Sequence, residues 1–184
     1  MVTARLAPAF ALLAFLLAGC DGAGPYGHSP RYAALDDETR AAAGAREYDP
    51  VMAARQPEQW RQGTVSLFGR VESRSAGPGG SALLKLSIRR LETRNLCGSE
   101  SDEDSCRVTV SDRDFGSLWA LVALHGGDDV GPHSVGPGSL LRVVGTLGQE
   151  VSPADGGAVI HASWYRHWPL FYYVTRASAR DLRQ

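Results

Sequence analysis

The feature that most limits what this chain can fold into is a hydrophobic repeat of two, which begins at Thr64 and returns in the later segments. In TVSLFGRVES, residues 64–73, Val65, Leu67 and Val71 share one face with Gly69, while Ser66, Arg70 and Glu72 take the other. Successive side chains of a strand point to opposite faces, so this is a strand with one face in a core. ALLKLSIRRLE repeats the pattern with Leu84, Leu86 and Ile88, and its phase slips at Leu91 as a bulge or strong bend requires. CRVTVSD aligns Cys106, Val108 and Val110, and SLLRVVGTLGQE aligns Leu141, Val143 and Leu147 around Gly145. AVIHASWY sets Ile160, Ala162 and Trp164 against Val159, His161 and Ser163, after the turn residues PADGG. The apolar run in DFGSLWALVAL suits either a buried strand or a short helix, and its period-two surroundings favour a strand.

Five or six short strands joined by Gly-rich turns close most simply into one small barrel. The expected fold class is therefore mainly β: an OB-like (oligonucleotide/oligosaccharide-binding type) five- to six-stranded barrel over residues 49–184, with a short N-terminal helical segment. In that segment, DPVMAARQPEQWRQ is expected to pack Val51, Met52 and Trp60 onto the domain. The order PEQWRQGTVSLFGRV, ALLKLSIRRLE, GPGSLLRVVGTLG is similar to the Slp family of Gram-negative outer-membrane lipoproteins and other envelope proteins of the OB type. The likeness spans residues 57–165, with Leu67-Phe68-Gly69 standing where that family typically carries Trp-Gly-Gly. It implies an OB-type barrel with an envelope address.

The first twenty residues point the same way. Arg5 precedes an apolar run from Leu6 to Leu17, too short to span a bilayer comfortably and of the length of a signal-peptide core. The run ends in Leu17-Ala18-Gly19-Cys20, which resembles the lipobox of bacterial lipoproteins. That resemblance implies removal of residues 1–19 and acylation of Cys20, with palmitate-type chains holding the mature protein at a membrane. Asp21 hints at inner-membrane retention, whereas the Slp likeness points to the outer membrane. Residues 20–48 then read as a lipidated tether, rich in Gly and Pro at its start and carrying a weak Ala-rich helix.

With Cys20 assigned to lipid, Cys97 and Cys106 remain as a pair in an oxidising compartment and are expected to form a disulfide. A closed loop of about ten residues contributes roughly 3 kcal/mol by chain entropy. Cleavage before Cys20 leaves 18 basic and 20 acidic residues, a net charge of −2. This mildly acidic balance and the exported address lead to the expectation of no nucleic-acid partner.

No established catalytic motif is present. Asp114-Phe115-Gly116 lacks the loops that would make it a kinase tripeptide, and AGPGGSALLK lacks the Lys-Ser/Thr of a phosphate loop. His125, Asp128, Asp129 and His133 could offer mixed nitrogen and oxygen ligands to a divalent metal, but a polar inter-strand loop is the favoured reading. Glu100, Asp102, Glu103 and Asp104 make an acidic loop without EF-hand spacing. WYRHWPLFYYVTR, residues 164–176, is the most distinctive stretch, and Arg166, His167 and Trp168 are its candidates for a binding face on a glycan, a peptide or a membrane interface.

The expectation is therefore a membrane-anchored envelope lipoprotein. It would act without catalysis or cofactor as a structural or binding module, with the membrane, other envelope proteins or cell-wall glycan as partners. A ligand or metal sensor and an envelope hydrolase are the alternatives.

Overall fold

A computed structural model of the protein describes residues 26, 29–99 and 101–180. Cys20, the signal segment and Glu100 lie outside the described residues. In chain order the elements are α1 (Asp36–Ala41), β1 (Arg46–Glu47), α2 (Pro50–Arg55), α3 (Pro57–Arg61), β2 (Thr64–Ala76), β3 (Ala82–Arg89), β4 (Leu96–Ser99), β5 (Asp102–Val110), β6 (Ser117–Val122), β7 (Leu140–Val151), β8 (Ala158–Trp168) and β9 (Tyr173–Thr175).

Five of the strands close a barrel. β2 pairs antiparallel with β3, β3 with β6, and β7 with both β8 and β2, while β6 and β8 run parallel. Counting barrel strands alone, the spatial order is first, second, third, fifth, fourth and back to the first, the topology of an OB barrel. The apolar run after Asp114 is the strand β6.

The repeat of two explains the filling. Val65, Leu67, Val71, Leu84, Leu86, Leu118, Val143 and Ile160 point inward and are almost wholly buried in one cluster. Three of the barrel strands run 11 to 13 residues, longer than the short strands expected, and small residues let them bend closely around one core. A Cβ on Gly69 would sit 2.8 Å from Leu86 Cβ, and one on Gly145, beside the bulge that offsets β7 from β8, would sit 2.0 Å from the His161 carbonyl oxygen.

α2 and α3 add Ala53 and Trp60 to this core, with Tyr48 edge-on to Trp60 at 5.7 Å. Asp49 caps α2 by accepting from the Val51 and Met52 amides, and Pro50 begins it. That start sets the helical phase so that Ala53 faces inward while Val51 and Met52 remain 57% and 39% exposed. Of the three residues expected to pack here, only Trp60 does.

A second cluster lies outside the barrel wall. Phe68, Leu140 and Trp168 are covered by Val108 and Val110 of β5, by Tyr173 of β9, and by Tyr26 and Tyr32. β5 belongs to a small sheet ordered β4, β5, β9, in which Cys97 faces Cys106 and a disulfide joins them. Residues 29–48, read from the sequence as part of a tether, also pack on the barrel: β1 pairs with β2, and α1 lies against β8.

Candidate functional site

The aromatic segment splits into a buried half and an exposed tip. Pro169 ends β8, and Arg166, His167 and Trp168 just before it are 5%, 8% and 0% exposed. The sequence candidates for a binding face are thus interior groups. Trp168 donates its indole N–H to the Tyr26 carbonyl at 3.1 Å and lies 6.0 Å from the Phe68 ring. Arg166 donates to Glu38 at 2.8 Å and to the Ala33 carbonyl at 3.0 Å.

Glu38, in the first turn of α1, is fully buried. It also accepts from Tyr32, Arg142 and the Leu35 amide. Burial opposes its ionisation, but the hydrogen bonds from Tyr32, Arg142, Leu35 and Arg166 outweigh that and hold its carboxyl below the usual range. Burial, followed by the bond to Glu38, pushes the Tyr32 phenol up. The cluster fastens the N-terminal segment to the barrel.

The residues considered as metal ligands are engaged separately. Asp128 accepts from Tyr165 at 3.1 Å and sits 2.7 Å from His167 Nδ1. Asp129 pairs with Arg74, while the His125 ring lies 6.4 Å from Tyr165 and the His133 ring 5.6 Å from Tyr172. No group of three or more His, Cys, Asp or Glu gathers among the described residues.

His167 Nε2 lies 3.1 Å from Ser139 Oγ, so Asp128, His167 and Ser139 are linked in the order of a hydrolase relay. A nucleophile must reach its substrate, whereas Ser139 is 3% exposed and its Oγ already accepts the Gly136 N–H at 3.2 Å. The relay is a clasp that ties the loop after β6 to β8. Burial lowers the His167 pKa, with Asp128 pulling the other way.

The exposed tip is Leu170-Phe171. The Tyr172 N–H donates to the Pro169 carbonyl at 3.0 Å, closing a tight turn whose third residue, Phe171, has φ 76°. That left-handed conformation normally falls to Gly or Asn and costs a side chain about 1–2 kcal/mol. Here it holds an aromatic ring that is 83% exposed, beside Leu170 at 46%.

Below the turn a groove of about 770 Å³ is lined by Arg70, Arg89, Asp112, Tyr173 and Thr175. Arg89 donates to the Asp112 carbonyl, and its buried Nε has no hydrogen-bond partner among the described residues. Asp112 accepts the Ala177 amide at 2.7 Å, which with Thr175 holds its carboxyl below the usual range. Tyr173 is oriented by donating to the Gly138 carbonyl at 2.7 Å. The turn thus sets a strained, solvent-facing aromatic beside a groove that holds two arginines. Sequence reasoning singled out this segment but named its buried residues, and the exposed pair Leu170-Phe171 was not among its candidates. The available signal was Pro169, which ends the strand and opens the turn.

The sequence matches no protein-family model and no curated protein. Among solved structures it is similar to the PriB protein of Ralstonia solanacearum, with 19% identity, TM-score 0.31, and coverage of 57% of this chain and 97% of that one. A proposed nucleic acid-binding lipoprotein of Klebsiella pneumoniae gives 16% identity, TM-score 0.36 and coverage of 74% and 99%. The single-stranded DNA binding protein of Thermus aquaticus gives 19% identity, TM-score 0.29 and coverage of 57% and 49%. These names correct the expectation that nucleic acid is excluded as a partner, since two of the similar structures are named as nucleic acid binders, and they assign no partner to this chain. Net charge was also the wrong criterion, since Arg70 and Arg89 concentrate positive charge in one groove whatever the total.

Proposed function

We propose that the chain is a non-catalytic binding module of the bacterial envelope, an OB barrel held at a membrane through acylated Cys20. The observation that carries the reading is the contrast between a solid interior and a dressed exterior. Buried side chains of the described residues fill the barrel core, while the Phe171 turn and its groove present an aromatic, an aliphatic and the exposed Arg70, with Arg89 half-buried behind it. The hydroxyl of the hydrogen-bonded relay is buried, which supports a binding role over an acyl-transfer one. Restriction to a membrane raises effective concentration, so weak contacts suffice.

The test is intact mass with membrane fractionation, on wild type and Cys20→Ala in a Gram-negative host. Cleavage before Cys20 with a lipid-sized mass increase, lost in the variant, is expected, and the fraction also reports which membrane. A soluble, unlipidated wild type in a host that processes other lipoproteins would overturn the anchor.

A further inference from the structure

The tether constrains which side of the barrel faces the bilayer. Tyr26 lies six residues after Cys20, and six residues reach at most about 20 Å when fully extended. The Tyr26 ring sits 4.5 Å from the ring of Tyr172, next in the chain to Phe171, and its carbonyl is held by the Trp168 indole. A domain of about 150 residues is roughly 40 Å across. An anchor on Cys20 therefore keeps the Phe171 end next to the membrane and does not let the opposite end reach it.

At that end Leu170 and Phe171 project from a turn, and Arg70 and Arg89 line the groove beneath. Apolar tips backed by guanidinium groups match a headgroup layer, in which phosphates lie above the first methylenes. The single carboxylate of the groove, Asp112, is engaged by Ala177 and Thr175. Val151, another exposed apolar residue, stands at the other end of β7 from Leu140, about 35 Å away along the strand.

We infer that the Leu170-Phe171 turn, with Arg70 and Arg89, is a phospholipid-docking surface that seats the barrel on the membrane holding its own anchor. The inference rests on the lipid-anchor reading. It turns a loose tether into a fixed orientation, with the Val151 end of the barrel directed away from the bilayer and free to meet partners.

The test uses the full lipidated protein in vesicles of phosphatidylethanolamine and phosphatidylglycerol. An environment-sensitive fluorophore is placed at Phe171→Cys or, in a control, at Val151→Cys, and the vesicles carry a quencher on the lipid chains. Quenching about threefold stronger at 171 than at 151 is expected. It should fall toward the control level when Arg70→Gln is added or when phosphatidylglycerol is omitted. Intact mass accompanies each sample. Equal quenching at both positions in protein that carries lipid would overturn the docking surface and leave the anchor standing. Absence of lipid would overturn the anchor, and docking with it. If single-stranded oligonucleotide displaces the 171 probe from the bilayer, the groove belongs to nucleic acid and the lipid assignment fails.

Discussion

Glu38 and Arg166, 128 positions apart in the chain, meet at 2.8 Å in a site where the carboxylate is wholly buried. Arg142 joins them from β7, so one acid from α1 holds two guanidinium groups on the barrel wall. Removing one partner of a buried pair strands the other, a loss of about 3–5 kcal/mol. Glu38→Ala is therefore expected to lower unfolding stability by about 3 kcal/mol in urea titration, with a broader loss of protection in residues 29–48 by hydrogen exchange. Because the folded-state pKa of Glu38 is depressed, its contribution is present above the ordinary Glu range and disappears as pH falls through the lower folded value. The variant should lack that acid-side loss.

His167 gives a pH dependence in a different window. Burial lowers its folded pKa, so the unfolded chain binds the extra proton first, and stability falls as pH drops below about 6.5. His167→Gln should flatten the stability curve between about pH 7 and pH 5, at the cost of a lower plateau. A variant curve as steep as wild type would assign the slope to other groups.

The relay makes a separate prediction at Ser139. If its hydroxyl serves only to hold His167 and accept the Gly136 amide, Ser139→Ala costs about 1 kcal/mol and nothing else. A fluorophosphonate probe should leave wild type unlabelled. Stoichiometric labelling at Ser139 would show that the site opens and acts as a nucleophile.

Close strand approach predicts a contrast between two glycines. Gly145→Ala would place a methyl group 2.0 Å from the His161 carbonyl oxygen and should destabilise the barrel by more than about 2 kcal/mol. Gly63→Ala meets no atom within 4 Å and should be neutral or slightly stabilising. Thermal denaturation of the two variants side by side reads the difference.

Phe171 predicts a trade of stability against attachment. With φ 76° at this position, Phe171→Gly removes a backbone penalty and should stabilise the fold by about 1 kcal/mol. The same change removes the exposed ring and should weaken docking of the barrel on the bilayer, read as less quenching of a Leu170→Cys probe by the chain-borne quencher while the lipid anchor stays in place. A variant that gains stability and docks as well as wild type would show that the ring has no role at the membrane.

Much of the barrel was legible before any coordinates. Leu84, Leu86 and Ile88 alternate with polar residues, and alternation of this kind leaves a strand little choice of which face to bury. Gly69, on the inward face of its strand, could be read as a point of close approach because only a missing side chain tolerates one, and Leu86 fills that space. Val51 and Met52 were misplaced because apolar character says that burial is favourable, not which face of a one-and-a-half-turn helix receives it.

The aromatic segment marks the limit more sharply. Local sequence determined that 164–176 is a strand broken at Pro169, that the chain is mainly β, and that Cys97 and Cys106 stand in one hairpin-sized loop. Only the tertiary structure decided that Arg166, His167 and Trp168 turn inward and Phe171 outward. Their partners, Glu38, Ser139, Asp128 and Tyr26, lie 28 to 142 positions away. Side-chain periodicity is a property of a few consecutive residues, whereas burial on the outer face of a barrel depends on which distant segment happens to cover it.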